Sequence, residues 1–178
     1  MDDRDVFDDS ELHAVVLDSV TTTSTVVEAL SSLAFLYRPQ LLMFLFTGHG
    51  DRPSGEHQPA LWFSSDELLT GLQLAPLLYA FRAKTTAVFL DCCFSTDIFH
   101  NIGFSGLVVV PACGGKEFVT TGFTSKVLVP ALRGDCHQYC ATPACAECHS
   151  FCAEPGVRIL SLVQHIRHHS PVSAQERG

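Results

Sequence analysis

Phe44-Leu-Phe-Thr-Gly-His-Gly50 and Val88-Phe-Leu-Asp-Cys-Cys-Phe-Ser95 decide how this chain is read. Each is an apolar run that stops at a side chain with chemistry to offer, His49 in the first and Cys93 in the second. Continuous apolar runs of this length, bounded by turn residues, read as strands buried on both faces of a parallel sheet. A histidine and a cysteine at the ends of two such strands, 44 positions apart, is the layout a cysteine hydrolase needs. The imidazole takes the thiol proton, and the thiolate attacks a carbonyl carbon.

Outward from these two runs, strands alternate with helices. Ala14-Val-Val-Leu17 is a short β-branched run expected as a strand. Thr25 and Glu28 have the spacing of a capping box, so a helix is expected to begin there. Val26, Leu30, Leu33, Ala34 and Tyr37 form its apolar stripe, and Pro39 stops it. Gln40 to Phe46 is the first buried strand, and the Gly-, Pro- and charge-rich stretch from Asp51 to Pro59 is a loop. Ala60-Leu-Trp-Phe63 is a small extended piece. Pro76 suits the first turn of a helix over about 75 to 83. Thr85 to Leu90 and Gly106 to Val110 are two further strands, and helices are expected near Phe123 to Leu132 and Val157 to His168. This alternation predicts an α/β fold with a largely parallel sheet.

The 178 residues, with 47% hydrophobic content and no low-complexity spacer, suit one domain over residues 13–170, after an acidic stub at 1–12 and before a tail at 171–178. A formal net charge of -8, with Lys and Arg scattered singly, argues against a grip on phosphate backbones, so nucleic acid is not an expected partner. The acidic start is the opposite of a secretory leader, and the longest apolar stretch, Leu41 to Phe46, is too short to span a bilayer. A cytoplasmic protein without membrane partners is expected, its eight cysteines reduced.

In parallel α/β sheets, ligands bind outside the carboxyl ends of the strands, where His49 and Cys93 both fall. Alternation along the pleat turns Cys92 away from the face shared by Asp91 and Cys93, which makes Cys92 the packing cysteine and Cys93 the candidate nucleophile. Asp91 has a second reading as a cap for the following turn.

At these residues the chain resembles a known family. Phe46-Thr-Gly-His-Gly50 is similar to the strand-end histidine motif of the caspase-like cysteine peptidases, above all metacaspases and their bacterial relatives. Leu90-Asp-Cys-Cys-Phe-Ser95 is similar to their cysteine motif, and Leu107 to Cys113 followed by Gly122-Phe-Thr124 resembles the strand and helix that come next. The resemblance covers about Val15 to Leu132. It implies a three-layer caspase-like sandwich, a mostly parallel central sheet, and an endopeptidase using a His-Cys dyad through an acyl-enzyme. His49 is then the general base and Cys93 the nucleophile, with backbone N–H groups of Gly50 and Cys93 holding the oxyanion. Asp91 and Thr47 match the pocket for the residue before the scissile bond, which implies cleavage of polypeptides after Arg or Lys.

The chain departs from the family pattern in several ways. Family members carry a further strand and helix, and a second pocket acid, before the strand expected at Val15. Thr96 replaces a glycine, the stretch from Asp97 to Phe104 is short, and Phe94 stands where metacaspases have a second histidine. The last departure is a Cys-rich insertion at 135–153. There Cys136, Cys140, Cys145, Cys148 and Cys152, with His137 and His149, have spacings that suit structural zinc. Free thiols or redox pairs are the other reading, and none of these residues belongs to the catalytic set. The dyad needs no cofactor for its chemistry, and no acidic loop has calcium-ligand spacing. Two other functional classes remain: a catalytically weak or inactive caspase-like module that binds or regulates protein partners, and a zinc- or redox-responsive domain. His165, His168 and His169 read as a solvated helix face.

Overall fold

The structure is a computed structural model, which describes residues 14–17, 21–53, 58–64, 67–112, 123–133 and 161–164. The chain divides into two compact units, residues 15–119 and residues 1–14 together with 120–178.

The first unit contains both motifs. Its first helix, α1 (Thr23–Leu36), begins at the N-cap Thr22, whose side chain accepts the Thr25 N–H. The helix therefore starts ahead of the expected Thr25–Glu28 box. A long-range partner helps to fix this start: the Glu67 carboxylate accepts hydrogen bonds from the Thr23 N–H at 2.5 Å and from the Thr23 hydroxyl at 2.7 Å. The first N–H groups of any helix lack partners within it, and a negative charge there is favourable. These two bonds hold the Glu67 carboxyl below its ordinary pKa. Val26 and Ala34 of the expected stripe are buried, and Leu30 packs on the core. The helix ends at Leu36, where the Tyr37 N–H returns to the Leu33 carbonyl and the Arg38 guanidinium donates to the Ala34 carbonyl.

Three parallel strands, β1 (Leu41–Thr47), β5 (Thr85–Asp91) and β6 (Leu107–Pro111), form a sheet in the order β1-β5-β6. Between β1 and β5 the chain makes β2 (His49–Asp51), β3 (Ala60–Trp62) and β4 (Leu68–Thr70), an antiparallel sheet in sequence order. Helix α2 (Gly71–Tyr79) follows β4 directly, and the short α3 (Ser95–Ile98) lies between β5 and β6. The protein is thus mixed α/β, with a parallel sheet and a small antiparallel one.

The core shows why the apolar runs are strands. Val88, Leu90 and Cys92 alternate onto one face of β5 and pack in a cluster with Phe46, Val26 of α1, and Leu74 and Leu78 of α2. Central β5 is buried from Thr86 through Asp91, as a two-sided parallel strand should be. β1 differs from expectation. Its Leu42, Phe44 and Phe46 pack on the core, but most of the strand is only half-buried and Leu45 is 47% exposed. Among the described residues β1 is an edge of its sheet, so it lacks the cover that β5 has on both sides.

Three further expectations need correction. Residues 14–17 form no strand, and Val16 is 91% exposed: a β-branched run with no described partner has no ladder to join. Helix α2 begins at Gly71, four residues before the expected start. A capping box on Thr70 drives this, its side chain taking the Gln73 N–H while Gln73 reaches back to the Thr70 N–H. Pro76 therefore sits inside the helix, and its missing N–H costs the bond to the carbonyl of exposed Leu72. Finally, β2 and β4 fall where no strand was expected, β2 at the start of the expected loop.

In the second unit, the helix expected near Phe123 to Leu132 is present as a π-helical turn, Thr124–Leu128, running into α4 (Val129–Leu132). Residues 161–164, within the helix expected over Val157 to His168, are helical, with Leu162 and Val163 buried. The Cys-rich stretch, the acidic start, and His165, His168 and His169 lie outside the described residues. Among the described residues no helix is long and apolar enough to cross a membrane.

Candidate functional site

The register between β1 and β5 sets the geometry. Leu41 pairs with Thr85 and each later residue in step, ending with Thr47 opposite Asp91. Every pair is separated by 44 residues, the same separation as His49 and Cys93. Neighbouring strands are about 4.8 Å apart. The two candidate side chains therefore follow the same end of the sheet, each two residues beyond the last pair.

The chain continues this approach past the strand ends. The Gly48 N–H donates to the Asp91 carbonyl at 3.2 Å. Gly50 then lies directly against the cysteine turn, where a Cβ would fall 2.1 Å from the Cys93 carbonyl oxygen and 3.2 Å from Cys92 Sγ. The glycine at position 50 answers to this approach, because its close neighbour is the Cys93 backbone itself. At Gly48 the nearest atom is the ring edge of Phe46, at 2.9 Å from such a Cβ.

His49 opens β2, is exposed, and pairs across the antiparallel ladder with Trp62. It therefore sits at the joint where the chain leaves one sheet for the other, with Gly48 as the only residue between β1 and β2. The two cysteines separate as alternation predicted. Cys92 is 1% exposed within the core, and Cys93 is half-buried. The residue after Cys93, Phe94, has φ 56°, a left-handed conformation that costs a non-glycine residue about 1–2 kcal/mol. That sharp turn ends β5 and starts α3. Phe94 is the N-cap of α3 and makes no side-chain cap bond. Asp91 is buried and Thr47, its partner on β1, is exposed.

Three residues at this site went unnoticed in the sequence. Arg52, just after β2, donates to the Asp97 carboxylate of α3 at 2.7 Å. Its guanidinium also lies over the Phe94 ring, 5.8 Å from the centroid. Trp62, opposite His49, has a buried indole N–H with no hydrogen-bond partner among the described residues. Opposite charges at Arg52 and Asp97 are a usable signal only once the strand register is known, because they lie 45 residues apart. Nothing in the sequence marks Trp62.

Among the described residues no group of three or more His, Cys, Asp or Glu side chains is arranged to hold a metal ion. The zinc ligands considered at Cys136 to Cys152 lie outside the described residues. Comparison with protein-family models, curated proteins and solved structures found no match.

Proposed function

We propose that the protein is a caspase-like cysteine endopeptidase that cleaves polypeptides after Arg or Lys. The observation that carries this reading is the seating of Gly50 on the Cys93 backbone, at the common end of two strands whose pairing offset equals the His49–Cys93 separation. In the proposed reaction, His49 takes the proton from Cys93 Sγ and the thiolate bonds to the substrate carbonyl carbon. Backbone N–H groups of Gly50 and Cys93 hold the oxyanion, each such donor being worth about 3 kcal/mol of barrier. The imidazolium returns its proton to the leaving amine as the C–N bond breaks. A water, deprotonated by His49, then attacks the thioester, and the C–S bond breaks to release the acid. Asp91, buried at the end of β5 beside Thr47, supplies the carboxylate that a substrate guanidinium or ammonium requires.

The reading is tested with fluorogenic peptides ending in Arg, hydrolysed by the wild type and by the Cys93→Ala and His49→Ala variants. Hydrolysis by the wild type alone is the expected result. Equal rates in all three proteins overturn the proposal.

A further inference from the structure

We infer that Arg52 is a positioning residue that holds the His49 strand against the Cys93 turn. The inference rests on the dyad reading and adds to it a residue that touches neither reacting atom. The backbone at His49 has glycine on both sides, so local sequence does little to fix it. On one side β2 is tied to β3 by the antiparallel ladder. On the other, Arg52 reaches across to the cysteine-bearing segment through two contacts of different kinds. One is the 2.7 Å bond to Asp97 in α3, and the other is the guanidinium over Phe94, the residue bonded directly to Cys93. Phe94 also has a left-handed backbone, so the guanidinium packs on a strained turn.

The pair is part-exposed, with side-chain accessibilities of 41% and 29%, and such ion pairs add little to global stability. Their worth here is geometric. A displacement of about 1 Å in a catalytic group is enough to cost about 100-fold in rate, whereas loss of a part-exposed ion pair changes unfolding little. Arg52 therefore acts on turnover through the place of His49 and not through the fold.

The test compares Arg52→Ala, Arg52→Lys and Asp97→Asn in the full chain, each also combined with His49→Ala. One readout is kcat and KM on an Arg-ended fluorogenic peptide. The second is the rate at which iodoacetamide alkylates Cys93, followed by peptide mass spectrometry, which needs no turnover. Arg52→Ala is expected to lower kcat about 10- to 100-fold with little change in KM and in the unfolding midpoint, with partial recovery in Arg52→Lys. It is expected to slow Cys93 alkylation severalfold when His49 is present and to have no further effect in the His49→Ala background. Wild-type kcat and alkylation in Arg52→Ala overturn the clamp while leaving the peptidase reading intact. Equal slowing in both backgrounds also overturns it, because the cation then acts on the thiol directly. If the wild type hydrolyses no more peptide than Cys93→Ala, the peptidase reading fails, and the alkylation comparison still decides the clamp.

Discussion

Replacing Gly50 with alanine tests the contact on which the site depends. The backbone at Gly50 is not in the left-handed region, since Gly106 alone among the described glycines has positive φ. Alanine is therefore conformationally acceptable, and on that ground alone it would stabilise the protein by about 0.4–1 kcal/mol through the unfolded state. Packing reverses the sign. The added carbon falls 2.1 Å from the Cys93 carbonyl oxygen, nearly an ångström inside the 3.0 Å limit that real Cβ atoms respect, and the atom it meets is backbone. Relief requires β2 or the cysteine turn to move by about that amount. Overpacking of this kind costs about 1–3 kcal/mol, so the net change is a destabilisation of about 0–2.6 kcal/mol once the unfolded-state gain is set against it. Gly48→Ala is the control, because its added carbon meets only a ring edge of Phe46, at 2.9 Å. Denaturant unfolding of the two variants is expected to rank Gly50→Ala clearly below Gly48→Ala. In the peptide assay, separating the strands by about 1 Å is expected to lower kcat about 100-fold. A Gly50→Ala protein more stable than the wild type, with undiminished turnover, refutes the contact.

Leu78, with no exposed surface in α2, should lose about 2–5 kcal/mol on truncation to alanine, whereas Leu72 on the same helix, 58% exposed, should change within about 0.5 kcal/mol; urea unfolding measures both. Thr70→Ala removes the acceptor of the α2 capping box and is expected to cost about 1 kcal/mol in the same assay. Glu67 predicts a pH effect. Its folded pKa is depressed by the bonds from Thr23, so its contribution is complete above the unfolded value of about 4.3 and is lost as pH falls through the lower folded value. The unfolding midpoint of Glu67→Gln should therefore lie below that of the wild type at neutral pH, and the gap should close in acid. A gap that persists or widens in acid contradicts the assignment.

How much of this could be read beforehand depended on the range of the interaction that decides each element. The parallel strands were legible because burial on both faces leaves a continuous apolar run, and residues 85–90 lie entirely within β5. The separation of Cys92 from Cys93 followed from the pleat alone. Helix starts were misjudged where a cap was overlooked: Thr22 and Thr70 both cap with ordinary threonine chemistry, but the first is helped by Glu67 from 44 residues away. Pro76 misled because proline was weighed against a capping box that had not been noticed. The strands β2 and β4, three residues each, carry too short a pattern to separate from a loop, and exist because each pairs with β3.

The same distinction explains the site. His49 and Cys93 were legible as strand-end residues because each strand announces its own end. That they follow the same end of one sheet needed a further fact, the pairing of β1 with β5 without an intervening strand. Once that pairing exists, the offset of 44 residues turns two local motifs into one place. Arg52, Phe94 and Asp97 draw their roles wholly from that pairing, since no periodicity links an exposed arginine to a helix 45 residues on. The edge position of β1 follows from the same topology: it leaves Leu45 half-exposed while its register partner Phe89 is fully buried. Sequence patterns of this kind record what a residue does to its own strand or helix, and the chemistry proposed for this protein depends on how two of them are joined.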